Sequence, residues 1–575
     1  MPETVSVTRP QRWDHPFSFD LNPSSPVTDS MIDEWLTRPP FNQMDETGFR
    51  KSMSLRDLLK NDARLMSYQS GDIIVRRGDW GNSAFFILNG SVRAEVESAD
   101  SSIPPSMLGR QPTRKRTLFE SIAQLWKTAS APESRSRFTP NDSRIGSRGQ
   151  GGQTRVFLQD LPAVLRGYRT ETIPPGQWFG ELSALGRTPR TATVFAEGPA
   201  QLLELRWQGL RDLMRFDRNN AIRTDVETSF REHALEEFLR NHPVFQGLSD
   251  EKLKVLMDHA EFRTFGEYDS PKPFKELAKQ GFEDNFESEA LILEEGHYPN
   301  DVFFVRSGLA RLTVKHHHGH RTVGYLTPGH AYGFHEVAAS SAGESVPYQC
   351  SVRAISFLSG LLIPTPVVES VLLETDENRQ STSVLPIVPV PTIKGDAVPE
   401  PLLEFLVEER FVQATAAMVI DLDRCVRCDD CVRACATAHD GNPRFVRHGP
   451  IHGHHMLANA CLHCVDPVCM VECPTGAIHR EFASGNVVIS ESSCIGCAQC
   501  ANNCPYDAIR MVQITDQNGQ LIVDDRNGRP LTQATKCDLC LDQLGGPACQ
   551  NACAHDALRR VDLSDVQQLQ EVFAR

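Results

Sequence analysis

The chain has 575 residues, 40% hydrophobic and 23% charged, with a formal net charge of -15. That length exceeds what one hydrophobic core serves and implies three or four domains of ~150 residues each. The negative balance argues against bulk nucleic-acid binding, no apolar run is long enough to span a bilayer, and the N-terminus MPETVSVTRPQRWDHPFSFD has neither the apolar core of a secretory signal nor a twin-arginine pair, so a cytoplasmic location is expected.

Residues 1–45 read as an N-terminal extension. Beyond it two segments repeat each other. GDIIVRRGDWGNSAFFILNGSVRAEV at 71–96 aligns on EALILEEGHYPNDVFFVRSGLARLTV, which begins at Glu289, and the alignment brings Gly78 and Gly90 onto Gly296 and Gly308. Both copies read as short strands broken by glycine turns, with Phe86, Leu88 and Val92 in one matching the apolar rhythm of Phe304, Val305 and Leu309 in the other. Two small β-barrel domains are expected, over 46–218 and 219–375. A Ser-, Pro-, Gly- and Arg-rich insert at about 98–155 interrupts the first and lacks the apolar surface to order itself, apart from TLFESIAQLWKTA, which reads as a helix.

Within the first domain, WFGELSALGRTPRTATVFA at 178–196 has the parts of an anion cradle. Gly180 and Glu181 open a short helix whose free N–H groups face the anion, Arg190 adds a charge-assisted contact, and Leu182, Ala192 and Val194 pack the segment on the strands. The segment resembles the phosphate-binding cassette of cyclic-nucleotide-binding domains, the family of the catabolite activator protein and the regulatory subunits of cAMP-dependent protein kinase. The resemblance implies cAMP or cGMP as ligand, Glu181 on the ribose 2'-OH, and a lean toward cGMP from Thr191 directly after Arg190.

Between the two domains, about 219–263, TDVETSFREHALEEFLRNHPVF and LSDEKLKVLMDHAEFRTF read as helices, with Ser249 as a cap ahead of Lys252, Leu253 and Leu256. In the second copy of the cassette, YGFHEVAASSAGESVPYQCSVRA, His335 stands for the glycine and Tyr348 for the arginine, which leaves Glu336 without a phosphate partner. Burying an uncompensated phosphate is costly, so this copy reads as structural or regulatory. The histidines from His316 to His320 read as a solvated hairpin turn. A Pro-rich linker follows at 376–410, including LPIVPVPTIKGDAVPEP, and it favours an extended connector.

Sixteen of the seventeen cysteines lie in the last domain, 411–575, in four groups of four. They are Cys425, Cys428, Cys431 and Cys435; Cys461, Cys464, Cys469 and Cys473; Cys494, Cys497, Cys500 and Cys504; and Cys537, Cys540, Cys549 and Cys553. Cys350 stands apart and reads as a small buried apolar side chain. The first and third groups have the C-x2-C-x2-C-x3-C spacing of [4Fe-4S] ligation, and the second and fourth widen one gap. Disulfides would need an oxidising compartment, and structural zinc prefers two C-x2-C hooks set well apart, a pattern that only the fourth group by itself satisfies.

The segments AMVIDLDRCVRCDDCVRAC, CLHCVDPVCMVECPTGAI, NVVISESSCIGCAQCANNCPYDAI and KCDLCLDQLGGPACQNACAHDAL resemble the four-cluster ferredoxin-like electron-transfer subunits of molybdopterin oxidoreductases. That resemblance, over 416–560, implies four [4Fe-4S] clusters whose quartets exchange their last members. One would be held by Cys425, Cys428, Cys431 and Cys553, and its mate by Cys537, Cys540, Cys549 and Cys435. The other two would use Cys461, Cys464, Cys469 with Cys504, and Cys494, Cys497, Cys500 with Cys473. Ala436 and Ala554 stand where prolines often follow the final cysteine.

The expectation is a multidomain chain: two jelly-roll barrels with helices, then an α+β multi-cluster ferredoxin domain. It would relay single electrons to or from an oxidoreductase catalytic subunit, of molybdopterin type, or a membrane quinone-reacting subunit. No nucleophile, acid–base pair or flavin fingerprint gives it a reaction of its own. The other reading is a redox and cyclic-nucleotide signalling sensor without a dedicated catalytic partner.

Overall fold

The computed structural model describes residues 4–12, 27–95, 103, 158, 161–266, 289–372 and 402–573, with short interruptions inside the last three ranges. Among the described residues the first domain has eight strands in two antiparallel sheets. One sheet runs Ala63–Tyr68, Ala200–Arg206, Ser83–Asn89, Trp178–Phe179, and the other Ile73–Val75, Val194–Ala196, Val92–Glu95, Thr170–Ile173. Counted along the domain these orders are 1-8-3-6 and 2-7-4-5. The second domain repeats both orders, with Glu261–Phe265, Leu358–Pro364, Asp301–Ser307, Ala331–Tyr332 and with Ala290–Leu293, Ser351–Ala354, Ala310–His316, Gly319–Leu326. The repeat seen in the sequence is therefore a repeat of topology, and the expected barrel takes the form of a two-sheet jelly roll.

Successive side chains of a strand point to opposite faces, and the strand Ser83–Asn89 uses both. Phe85 and Ile87 enter the space between the sheets with Val92, Ile173, Phe179 and Leu202, where Phe85 stacks on Phe179 with centroids 4.9 Å apart. Phe86 points the other way, onto a helical layer with Phe41, Trp178 and Leu210. The second domain divides Phe303 and Phe304 in the same manner.

Three segments differ from the sequence reading. The helix begun by Ser249, whose hydroxyl accepts from Lys252 N, ends at His259, and Glu261–Phe265, read as helical, is the first strand of the second domain. The alternation of EFRTF outweighs the helical run before it. Residues 27–45, set apart as an extension, contribute Ile32, Trp35, Phe41 and Met44 to the first domain's core. The strand Thr4–Val7 pairs in parallel with Leu521–Asp524 of the cysteine domain. Leu402 and Leu406, placed in the linker, are buried against Val419, Leu457 and Leu569. The helix read over TLFESIAQLWKTA lies outside the described residues, but Ile103 and Leu158 near the two ends of the insert pack together with Ile73 and Phe195.

Among its described residues the cysteine domain carries a four-stranded sheet, Ile451–His452, His455–Ala458, Ala417–Asp421, Leu558–Val561, a hairpin of Ile478–Arg480 with Val487–Ile489, and an antiparallel pair, Arg510–Gln513 with Thr532–Thr535, whose connection contains the strand Leu521–Asp524. Among the described residues no helix is long and apolar enough to cross a membrane. The first domain and the cysteine domain share one core, in which Leu210, Leu213 and Trp207 meet Met470, Ala477 and Ile478. A buried ionic group backs this seam. Asp62 pairs with Arg206 and, at 2.6 Å, with Arg12, which also reaches Asp212 at 3.0 Å. Arg206 Nη1 then donates to Thr475 O at 3.0 Å, and Arg211, paired with Asp212, donates to Val471 O.

Removing one member of a buried ion group leaves an uncompensated charge and costs about 3–5 kcal/mol. Asp62→Ala is expected to destabilise the protein by that amount in urea unfolding followed by tryptophan fluorescence. An unchanged midpoint would show that the ionic group does not hold the seam.

Candidate metal centre and anion cassette

The four cysteine loops share one backbone feature. The residue directly before the second cysteine has a left-handed conformation in every quartet: Arg427 at φ 59°, His463 at 49°, Gly496 at 66° and Leu539 at 59°. For residues other than glycine this conformation costs about 1–2 kcal/mol, and it turns consecutive N–H groups into a concave nest suited to negative charge. Only glycine fits in the third loop, because a Cβ at 496 would come within 2.0 Å of Thr532 O.

The loops interleave. One cavity is lined by Cys461, Cys464, Cys469 and Cys504, together with Pro467, Tyr506 and Ile509. A second is lined by Cys473, Cys494, Cys497 and Cys500, together with Ile478 and Ile489. In both, three members of one quartet meet the last member of the other. Cys435 lies within electrostatic reach of Cys537 and Cys549, and Cys431 of Cys549 and Cys553, so the first and fourth quartets meet as well. Cys425 packs beside Cys431 and Cys553 in the same core, while Cys428 is exposed.

Burial pushes the Cys431 thiol up to about 11 and those of Cys435 and Cys540 to about 12, and it raises Cys469 and Cys500 as well. Thiols in this setting become thiolates only with a cation bound among them. The surroundings carry the opposite need. Lys536, 5% exposed, donates to the carbonyls of Val487 and, at 2.9 Å, Cys537. Arg560 donates to Ala416 O and to Cys537 Sγ, each at 2.9 Å. Arg480, 3% exposed, donates to Cys464 O at 2.8 Å and Val465 O at 2.6 Å. Burial, and then the fields of Lys536, Arg560 and Arg480, hold His463 well below the usual imidazole range, so it stays neutral.

An iron–sulfur group held by four thiolates is anionic and answers both requirements: it supplies the cation the thiols need and the negative charge the buried cations need. The residues present fit that group. Lys536 stands in the KCDLC motif, but neither its burial nor the approach of Arg480 and Arg560 had a sequence signal.

In the first domain, Gly180 at φ 74° precedes the helix Glu181–Gly186. Arg190 is buried with both terminal nitrogens engaged: Nη1 donates to Gly180 O at 2.6 Å and to Ser183 Oγ at 2.9 Å, and Nη2 donates to Ser83 O at 2.7 Å. Burial lowers its pKa to about 10. Glu181 is buried as well, and desolvation raises its pKa, opposed by Arg306 of the second domain and by Arg190. Gly180 and Arg190 therefore meet, together with Ser183 and Ser83, which the sequence reading did not single out. Thr191 is exposed, and the side chain of Leu182 lies outside the described residues.

The second domain repeats this frame with other atoms. Gly296 N donates to Tyr348 O and Tyr348 N to His297 O, each at 2.9 Å, as Gly78 and Arg190 do with Arg190 and Asp79, so Tyr348 stands where Arg190 does. Its hydroxyl donates at 2.6 Å to Asp301 O, at the head of the strand equivalent to the one that Ser83 begins in the first domain. The glycine is not replaced by His335. Gly333, at φ 98°, accepts from Val337 N as Gly180 accepts from Ala184 N. Glu336 thus falls in register with Ser183 and Phe334 with Glu181, since matching the two glutamates shifts the alignment by two residues. The backbone pairing of His316 with Gly319 makes the hairpin expected there, but the histidine side chains lie outside the described residues.

Residues 453–563 match the family model of a 4Fe-4S dicluster domain, and residues 166–217 and 283–375 match that of a cyclic nucleotide-binding domain. The protein is 32% identical over 141 residues to the putative electron transport protein YsaA of Escherichia coli (strain K12), a match that spans 23% of its own length and 80% of YsaA. It is 33% identical over 132 residues to an iron-sulfur protein of Rhodospirillum rubrum, over 21% of its own length and 65% of that relative. It is also 36% identical over 107 residues to the arsenate respiratory reductase iron-sulfur subunit ArrB of Shewanella sp. (strain ANA-3), over 16% of its own length and 43% of that subunit. The match therefore spans less than two thirds of the length of these last two relatives.

The raised carboxyl of Glu181 gives a signed pH dependence. Its contribution to stability is complete below the unfolded value of 4.5 and is lost as pH rises through the folded value. Glu181→Gln, isosteric and uncharged, is expected to match wild type near about pH 4.5 and to melt higher than wild type near about pH 8. Parallel melting profiles across that window would contradict a buried Glu181 carboxyl.

Proposed function

This protein belongs to the 4Fe-4S dicluster family of iron–sulfur proteins, with cyclic nucleotide-binding domains ahead of the cysteine domain, and we propose that it relays single electrons through four [4Fe-4S] clusters to or from a partner oxidoreductase. The observation that carries this reading is the meeting of exchanged quartets beside buried cations. The proposed ligand sets are Cys425, Cys428, Cys431 and Cys553; Cys537, Cys540, Cys549 and Cys435; Cys461, Cys464, Cys469 and Cys504; and Cys494, Cys497, Cys500 and Cys473.

When bound, each such cluster takes up and gives up one electron. The protein's own residues hold the centres, exclude water and favour charge on sulfur. Arg444 N donates to Cys435 Sγ at 3.2 Å, Ala557 N to Cys553 Sγ at 3.3 Å, and the Arg560 guanidinium to Cys537 Sγ. The partner is a catalytic subunit of molybdopterin type or a membrane quinone-reacting subunit, and the setting is the cytoplasm. The reductase subunit among the relatives supports a catalytic partner.

The first domain takes cAMP or cGMP in the cassette of Gly180, Glu181, Leu182, Arg190 and Thr191. A phosphate arriving there competes for Arg190 with the carbonyls of Gly180 and Ser83. The second domain, with a phenol in place of the guanidinium, takes none.

Two measurements test these assignments. In anaerobically reduced protein, Cys504→Ser and Cys461→Ser are expected to alter the same EPR component, and Cys473→Ser and Cys497→Ser a different one. If Cys504→Ser follows Cys497→Ser instead, the exchange is wrong. In calorimetry, wild type is expected to bind cAMP or cGMP and Arg190→Ala to bind at least about tenfold more weakly, the worth of about one charge-assisted hydrogen bond. Absence of heat with both nucleotides would defeat the nucleotide assignment.

A further inference from the structure

The first domain meets the cysteine domain at the turn between Ile478–Arg480 and Val487–Ile489, next to one of the cysteine cavities, and Trp80 lies in that contact. Trp80 N donates to Phe482 O at 2.8 Å, and Asn82 Nδ2 donates to Arg480 O at 2.9 Å. The Arg480 guanidinium carbon lies 4.2 Å from the centroid of the Trp80 ring. Gly485, at φ 70°, closes on the same indole, since a Cβ there would come within 2.2 Å of Trp80 Nε1. On its other side Arg480 donates through Nη1 to Gly485 O at 2.7 Å and through Nη2 to the carbonyls of Cys464 and Val465. One buried cation is therefore held between an aromatic face from one domain and a cysteine loop of the other.

We propose that Trp80 is a positioning residue that fixes Arg480 against the Cys464 loop, and that Arg480 thereby raises the reduction potential of the cluster held by Cys461, Cys464, Cys469 and Cys504. The inference rests on the cluster assignment above. One-electron reduction adds one negative charge to a cluster with no proton, so a fixed cation in a low-dielectric wall stabilises the reduced form more than the oxidised one. The indole face excludes water from the guanidinium and restricts it to one geometry, which strengthens its field at the cavity. The cation comes from the cysteine domain and its restraint from the nucleotide-binding domain. Neither domain by itself would contain the device.

The test is an anaerobic potentiometric titration of the full-length protein followed by EPR, after iron has been measured in each variant. Arg480→Gln is expected to shift the component assigned through Cys461→Ser toward lower potential, by about tenfold in its reduction equilibrium, which is ~59 mV for a one-electron couple. Trp80→Leu is expected to move the same component in the same direction by less, and Arg480→Lys and Trp80→Phe to keep most of the wild-type value. Full iron with that component unmoved, or with all components moved together, overturns this inference and leaves the cluster assignment standing. Wild-type protein without iron overturns both. If Arg480→Gln does not hold iron, the comparison of Trp80→Leu with Trp80→Phe decides, and equal potentials in those two variants count against the proposal.

Discussion

Buried charge has to balance, and in the C-terminal domain it does so only across two kinds of groups. Thiols of Cys435, Cys469, Cys500 and Cys540 sit where burial disfavours thiolate, and Lys536, Arg480 and Arg560 are held on the same cysteine loops, by the carbonyls of Cys537 and Cys464 and the sulfur of Cys537. An anionic metal–sulfur group between them satisfies both sides at once. The repeated left-handed residue before each second cysteine serves the same end through the backbone. The loops, their cations and the exchange of last cysteines thus respond to one electrostatic requirement.

Charge also lines the junction between the first domain and the cysteine domain. The first domain's helix Trp207–Phe216 shares a core with the loops around Cys473 and Cys500, and Arg206 and Arg211 donate to carbonyls flanking Cys473. Together with Arg12 those guanidiniums share Asp62 and Asp212, so three cations face two carboxylates and most of their charge is offset within the group. Arg9, just beyond the strand Thr4–Val7 that pairs with Leu521–Asp524, donates to Ile495 O and Gly496 O in the third loop. The first domain therefore touches the second cysteine loop directly and shares a core with the third.

Much of this was legible in the sequence because it was written as spacing. The quartets, the glycines at 78 and 296, and the cap at Ser249 each follow from a local rule and appear in the fold at those positions. What was not legible depends on contacts between distant segments. No local pattern says that Ile32 and Phe41 complete the first domain, or that Leu402 leaves the linker for a core. Glu336 resembles Glu181 in residue type, but the backbone sets the register of the second copy. The left-handed glycine, Gly333, is the fixed point, and the acid lies three residues beyond it, whereas Glu181 directly follows Gly180. Arg190 was legible as a cation but not as one already engaged by carbonyls, because hydrogen bonds to backbone leave no trace in residue type.

The central claim, that four anionic clusters complete this interior, is tested most directly by native mass spectrometry of anaerobically purified protein. The account predicts a mass increment equal to four [4Fe-4S] units, about sixteen irons and sixteen sulfides per molecule. An increment of two such units, with zinc or nothing held by the first and fourth quartets, would contradict it.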